Sequence, residues 1–485
     1  MIKRNTLCVD TSTLNLIERT RYNVFAKIIL AVSSLLVNGF SSRILGVELF
    51  GSSQYILWIV QTLWLAGNLG LPQMYTRFLA LDAKTYSHRL IFHWPALLIL
   101  LLVVVLAAIS IHVVESPFRF LVALLTLSIS LQFILQSISD GLMQNNLHMH
   151  ATIWSCLAML GTAFFAVPPL GVQGYLLALL VQSGMYVCII TFLLWKKVLP
   201  FHYSRNTQEE TSTIFKYAFY AWLATILSAF VWQSMELFFI NRYLTKSDIS
   251  FYSVGLTLSL FIMQPVVMLA SALTPHFAKS FQENRTSTQQ TYVLLTKAFA
   301  WATFLFGWFV AFNSEFFLGM IYGKKFITGA SVAFCLLIFS PLSATATVGS
   351  SLVYGYGKTR FVAMSSALGA LAAPIVYMLI IPAYGIIGAA LARGIMQMVL
   401  IATGSYYITY FLRYPFPLRS YLTCMIAASL TTALFQWIFP QEEFMYIVLK
   451  GILVSGMYIL FTNNNFVFTS PERVRISSII KNIVS

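Results

Sequence analysis

Eight residues into the apolar stretch 385–411 lies Arg393, and Gln397, four residues on, shares its face of a helix. At 1.5 Å per residue the arginine sits about 12 Å along that helix. A charge so placed costs ~2.5–3.5 kcal/mol on insertion scales and normally faces a cavity or a partner. Glu236, near the end of another apolar run, could exchange a proton or an ion, or pair with Arg242. Lys27 stands about a turn and a half inside the first run, where it could snorkel to the interface or face a cavity. Arg77 in "LPQMYTRF" and Lys279 in "TPHFAKSF" each follow a proline at matching places in the two halves of the chain. In "RILGVELFG" and "RYLTKSDISF", Arg43 with Glu48 and Arg242 with Asp248 put an arginine and an acid between apolar runs. These are either water-exposed turn charges, worth ~0–1 kcal/mol as pairs, or the parts of an external gate.

The chemistry these residues offer is ionic and reversible. No acidic cluster of the kind that supports metal or sugar-phosphate catalysis stands out, so no catalytic residue is assigned and no enzyme is expected. His148 and His150 in "HMH" lack further ligands nearby, so neither a metal nor a cofactor is expected. The energy source stays open between a proton and a sodium gradient.

The elements that must position these groups are membrane helices. Of 485 residues, 59% are hydrophobic and 9% charged, with a mean hydropathy of +0.79, against about 25% charged in soluble chains. Runs such as "YLLALLVQSGMYVCIITFLLW" reach the ~20 apolar residues that cross a bilayer as helix, whereas a barrel would show ~10-residue alternating segments. The composition predicts an all-α integral membrane protein with about fourteen spans: 22–42, 50–69, 91–112, 118–138, 152–168, 174–195, 215–239, 251–273, 294–313, 330–352, 361–381, 385–411, 419–438 and 444–462. The first residues carry cations but no apolar core or cleavage site of a signal peptide, so the N-terminus is expected to be retained.

A net charge of +15 would suggest nucleic acid in a soluble chain; here topology accounts for it and no nucleic acid is expected. With an even number of spans both termini share a side, and 22 of the 30 Lys and Arg fall on that side. The positive-inside rule then makes both termini cytoplasmic.

The chain repeats itself. "PLGVQGYLLA" at 169–178 and "AYGIIGAALA" at 383–392 align Gly171, Gly174 and Ala178 with Gly385, Gly388 and Ala392. Spans one and seven start from the same side, so the repeats are parallel. Residues 1–200 and 201–412 are therefore expected to form two six-helix lobes, with 413–485 adding two helices and a tail.

The run "SRILGVELFGSSQYILWIVQTLWLAGNLGLPQMYTRFLA" resembles the opening of Wzx-type polysaccharide flippases, and "LVYGYGKTRFV" and the Tyr-Gly-x-x-Gly-Ala-Ala of span twelve extend the likeness over most of the chain. The resemblance implies the MATE-like fold of the MOP exporter superfamily. It further implies transport of a polyprenyl-pyrophosphate-linked oligosaccharide, such as an O-antigen repeat, from the inner to the outer leaflet of a bacterial cytoplasmic membrane. Partners would then be the lipid-linked substrate, membrane lipids, a polysaccharide polymerase and a chain-length regulator. On this resemblance Arg393 and Gln397 contact phosphate or sugar, or Arg393 is paired structurally. Arg77 and Lys279 receive the pyrophosphate at the inner mouth, or only anchor the helices. A multidrug or small-solute exporter of the same fold is the alternative.

Overall fold

A computed structural model describes residues 11–81, 118–142, 144–198, 211–283, 285–356, 359–440, 443–463, 467–469 and 472–473. Among them every regular element is helical, as an unbroken apolar chain requires where no water can satisfy the backbone. Among the described residues, eleven helices are long and apolar enough to cross a membrane. Two of these each join a pair of the expected spans, so the described residues carry thirteen of the fourteen. The remaining one, 91–112, lies outside the described residues.

The joined pairs correct the expected turns. Spans one and two form a single helical run, Thr11–Gly67, in which Gly46 alone departs from helical angles, at φ 74°. Spans eleven and twelve form Thr359–Tyr410, interrupted only at Gly385, φ 60°. A glycine accepts positive φ without a Cβ penalty, so one residue turns the chain where a loop was expected. The opposite correction falls on span seven. Expected as 215–239, it stops at Trp232, and a separate helix Glu236–Tyr243 begins after Ser234, at φ 57°.

The aligned glycines of the two halves have the same geometry. Gly171 (φ 58°) and Gly385 (φ 60°) each turn the chain. Three residues later, a Cβ on Gly174 would lie 2.1 Å from the Ala166 carbonyl oxygen, and one on Gly388 2.6 Å from that of Ile380. Each glycine thus lets a helix pass the backbone eight residues before it. Ala178 and Ala392 are both fully buried.

Contacts divide the chain into two compact units, residues 1–37 with 59–225, and residues 38–58 with 226–485. The first has a core of Leu71, Tyr75, Phe78, Ile138, Tyr186 and Ile190. In the second, the Leu418–Ile438 and Phe444–Asn463 helices dock on Arg285–Phe312 through Phe304, Tyr421, Ala428, Val454 and Tyr458. Trp301 Nε1 donates to Thr462 at 2.9 Å, and the Tyr458 hydroxyl to the Trp301 carbonyl at 2.9 Å. Lys450 is buried there, its ammonium donating to Asn313 Oδ1 and Gln436 Oε1, both at 2.9 Å.

Beyond the last span, Glu472 meets Lys297 at 3.0 Å and accepts from the Thr469 backbone N–H at 2.8 Å. Partial burial alone would raise the Glu472 carboxyl; the Thr469 N–H and the Lys297 ammonium outweigh it and hold the group below its usual range. A depressed carboxylate stabilises the fold above its unfolded pKa and loses that contribution as pH falls through the folded one. Acidification below about pH 4 should therefore loosen this tail contact, and Glu472→Gln should remove the pH dependence. Hydrogen exchange at 467–473 checks both, with an expected effect under about 1 kcal/mol for a single, partly buried pair beyond the span.

Candidate functional site

The break after Trp232 places a carboxylate at a helix start inside the second unit. Gln233, Ser234 and Met235 leave the helix, and Leu237 N–H donates to the Ser234 carbonyl at 3.0 Å as the next helix opens. Glu236 stands in that first turn, where the helix dipole favours an anion. It is 0% exposed, and a bare carboxylate there would be prohibitively costly without a partner.

The partner is Arg393, which is 4% exposed. Its Nη1 lies 3.1 Å from Glu236 Oε1 and 3.4 Å from Oε2, and its Nη2 donates to the Trp232 carbonyl at 3.4 Å. Gly385 starts the second half of the Thr359–Tyr410 helix and so sets the register that brings Arg393 here. From the first half, the Tyr377 hydroxyl donates to Glu236 Oε1 at 3.0 Å. The buried Tyr252 ring from the Lys246–Glu283 helix brings its hydroxyl beside the guanidinium. Gln397, one turn past Arg393, is also buried. Four segments therefore converge on one ion pair, and Arg393 also holds the carbonyl that the helix break leaves unsatisfied.

Of the two roles read for Glu236, pairing with Arg242 is not what the structure shows: its partner is Arg393. Six residues along a helix of 3.6 residues per turn rotate the side chain by about 240°, and Arg242 is exposed while Glu236 is buried.

Residues 16–281, more than half of the chain, match the family described as polysaccharide biosynthesis protein. The chain belongs to that family. No curated protein matches this polysaccharide biosynthesis protein by sequence. Its fold is similar to that of lipid II flippase MurJ in an inward closed conformation, with a TM-score of 0.70 and 14% identity over 92% of this chain and 98% of that one. It is similar to an inward-facing multidrug resistance MATE family transporter of the MOP superfamily, with a TM-score of 0.65 and 15% identity over 79% and 97%. A MOP superfamily transporter from Pyrococcus furiosus gives 0.62 and 15% over 81% and 94%. At such identities the likeness is one of fold, and the fold of this polysaccharide biosynthesis protein is MurJ- and MATE-like.

The other predicted residues of the family member do not gather at the Glu236–Arg393 pair. Arg43 donates through Nε to the Ile321 carbonyl at 3.2 Å and through Nη2 to the Met320 carbonyl, completing the C-terminus of the Ser314–Ile321 helix, where a cation suits the dipole. Asp248 accepts from the Thr245 N–H at 2.9 Å and hydroxyl at 2.6 Å, while its own N–H donates to that hydroxyl at 3.3 Å. That is a capping box on the Lys246–Glu283 helix. Asp248→Ala should cost about 0.3–1.5 kcal/mol, measured as a lower unfolding midpoint, with Asp248→Glu retaining more of the stability. Glu48 and Arg242 are exposed, and all four residues belong to the second unit.

In the first unit Lys27 is half-buried with Asp140 as its charged neighbour. Arg77 is exposed, its guanidinium 4.5 Å from the Tyr217 ring centre. His148 is buried with Nδ1 2.7 Å from the Tyr186 hydroxyl. The Lys279 side chain lies outside what the structure describes. Tyr377, Tyr252 and Asp140 are the site residues that sequence reading did not single out; a tyrosine in an apolar run, or an acid at the end of one beside a polar stretch, is ordinary until its neighbour across the fold is known.

Proposed function

We propose that this protein is a flippase that moves a polyprenyl-pyrophosphate-linked oligosaccharide from the inner to the outer leaflet of a bacterial cytoplasmic membrane. It does so by alternating access, making and breaking no bond, with both termini in the cytoplasm. The observation that carries this reading is the combination of family and fold. A polysaccharide biosynthesis protein built of membrane-spanning helices on a transporter fold is suited to moving a glycan, since its lipid tail can stay in the bilayer while the polar head crosses. Lipid II, named for the similar MurJ structure, is a substrate of the same physical kind.

On this reading Arg77, which is exposed, would meet the pyrophosphate first, as a planar guanidinium binds phosphate oxygens in bidentate fashion. Arg393 would join only in a state where Glu236 has parted from it, since the pair is buried as it stands. Lys279 would receive the pyrophosphate together with Arg77; Lys27 and Gln397 would face the substrate, and Arg43, Glu48, Arg242 and Asp248 would be the parts of an external gate. A polymerase and a chain-length regulator would receive the flipped repeat unit. The similarity to multidrug MATE transporters supports a second reading, export of a small solute.

Deletion of the gene in its host separates the two. The flippase reading expects loss of the surface polysaccharide, with polyprenyl-linked repeat units accumulating unpolymerised. Intact polysaccharide with raised sensitivity to small cationic compounds would support the exporter.

A further inference from the structure

Within the second unit, residues 228–232 and the Arg285–Phe312, Ala330–Gly355 and Thr359–Tyr410 helices line a cavity of about 260 Å³. Every described residue lining it is uncharged. Ser350, Ser365, Ser366 and Ser405 bring hydroxyls to the wall, and Trp232 and Tyr354 bring aromatic surface. A serine hydroxyl that donates to its own helix, as Ser365 does to the Val362 carbonyl at 2.9 Å, keeps its lone pairs for an incoming O–H.

This lining discriminates by chemistry. An ion entering would find no countercharge, and a hydrocarbon would strand several hydroxyls away from water. A sugar ring suits both parts of the wall, with donors and acceptors around its rim and C–H groups on its faces, the pattern of a few placed polar groups among aromatic surface. The geometry points to this cavity as a binding site for an uncharged sugar residue of the transported oligosaccharide, an inference that rests on the flippase reading above. Trp232 links the cavity to the buried ion pair, since it lines the one and its carbonyl accepts from Arg393 of the other. A sugar seated against Trp232 therefore bears on the last turn before the helix break.

Gly404 gives the test. It lines the cavity, and a Cβ built there meets nothing within 4 Å, so Gly404→Ala leaves room for a ligand while Gly404→Phe fills the space. Saturation-transfer NMR on the full-length protein in lipid nanodiscs, with glucose, galactose and N-acetylglucosamine as probes, should show transfer to at least one sugar in the wild type and in Gly404→Ala. Transfer should fall about tenfold in Gly404→Phe, as expected for a filled cavity. If Gly404→Phe does not fold, Ser405→Leu serves as the plug. Equal transfer in a folded plugged variant, or none in the wild type, overturns the site. So does a spin-labelled phospholipid that binds the wild type in place of the sugars and is lost on plugging. Wild-type glycan translocation in proteoliposomes, measured alongside, separates the two claims. Translocation without sugar binding sinks the cavity alone, and plug-sensitive sugar binding without translocation upholds the cavity while sinking the flippase reading.

Discussion

Arg393→Ala should lower stability by about 3–5 kcal/mol, the usual cost of leaving one half of a buried pair without its partner. Here the stranded group is Glu236, 0% exposed, which would keep only the Tyr377 hydroxyl among its described side-chain partners. The Trp232 carbonyl loses its donor in the same step. Glu236→Ala should cost as much by stranding the guanidinium. The double variant Glu236→Leu/Arg393→Leu should recover most of that stability, because apolar replacement of a whole buried pair is often neutral or better. Unfolding midpoints of the four proteins in one detergent provide the check, and strictly additive losses would remove the pair from its structural place. Transport divides the roles further. A double variant that is stable yet inactive would give the pair a part in the conformational cycle, whereas a stable and active one would leave it a packing device.

Gly51→Ala should also be strongly destabilising, although it adds a single methyl group. That methyl would stand 1.9 Å from the Lys246 carbonyl oxygen and 2.9 Å from the carbonyl carbon. Both are backbone atoms, so no side chain can swing aside. The cost should reach or exceed the ~1–3 kcal/mol typical of overpacking, read as reduced yield of folded protein and a lower unfolding midpoint. Gly456→Ala, where a Cβ meets nothing within 4 Å, is the matched control and should be neutral or slightly stabilising through helix propensity. The same contact explains the opening motif. In "RILGVELFG", Arg43 completes a helix end, Gly46 turns the chain, and Phe50 is buried against Tyr322 and Phe326. Gly51 lets two backbones meet. Its arginine and glycines thus have local structural duties within the second unit.

Much of the fold could be read from residue order because the bilayer imposes it. Long apolar runs must become helices, and the glycines aligned between halves mark the same turn twice, at Gly171 and Gly385. What could not be read depends on contacts distant in sequence. Arg393 is conspicuous as a charge in an apolar run, but Glu236 lies 157 residues away, and Arg242 was the nearer candidate partner. The helix break that positions Glu236 uses Ser234 at positive φ, with neither glycine nor proline to announce it. The turn around 43–49 read as a loop because it holds charges, yet only Gly46 leaves helical geometry.

The flippase reading stands or falls most directly on translocation itself. Purified protein would be reconstituted into liposomes containing a polyprenyl-pyrophosphate oligosaccharide on both leaflets, and exposure scored with a membrane-impermeant sugar oxidant. The account predicts that labelling passes the outer-leaflet share and approaches the whole pool, and that empty liposomes stop at that share. Labelling that stops there with wild-type protein too, across several glycans and with proton and sodium gradients imposed in turn, would contradict it.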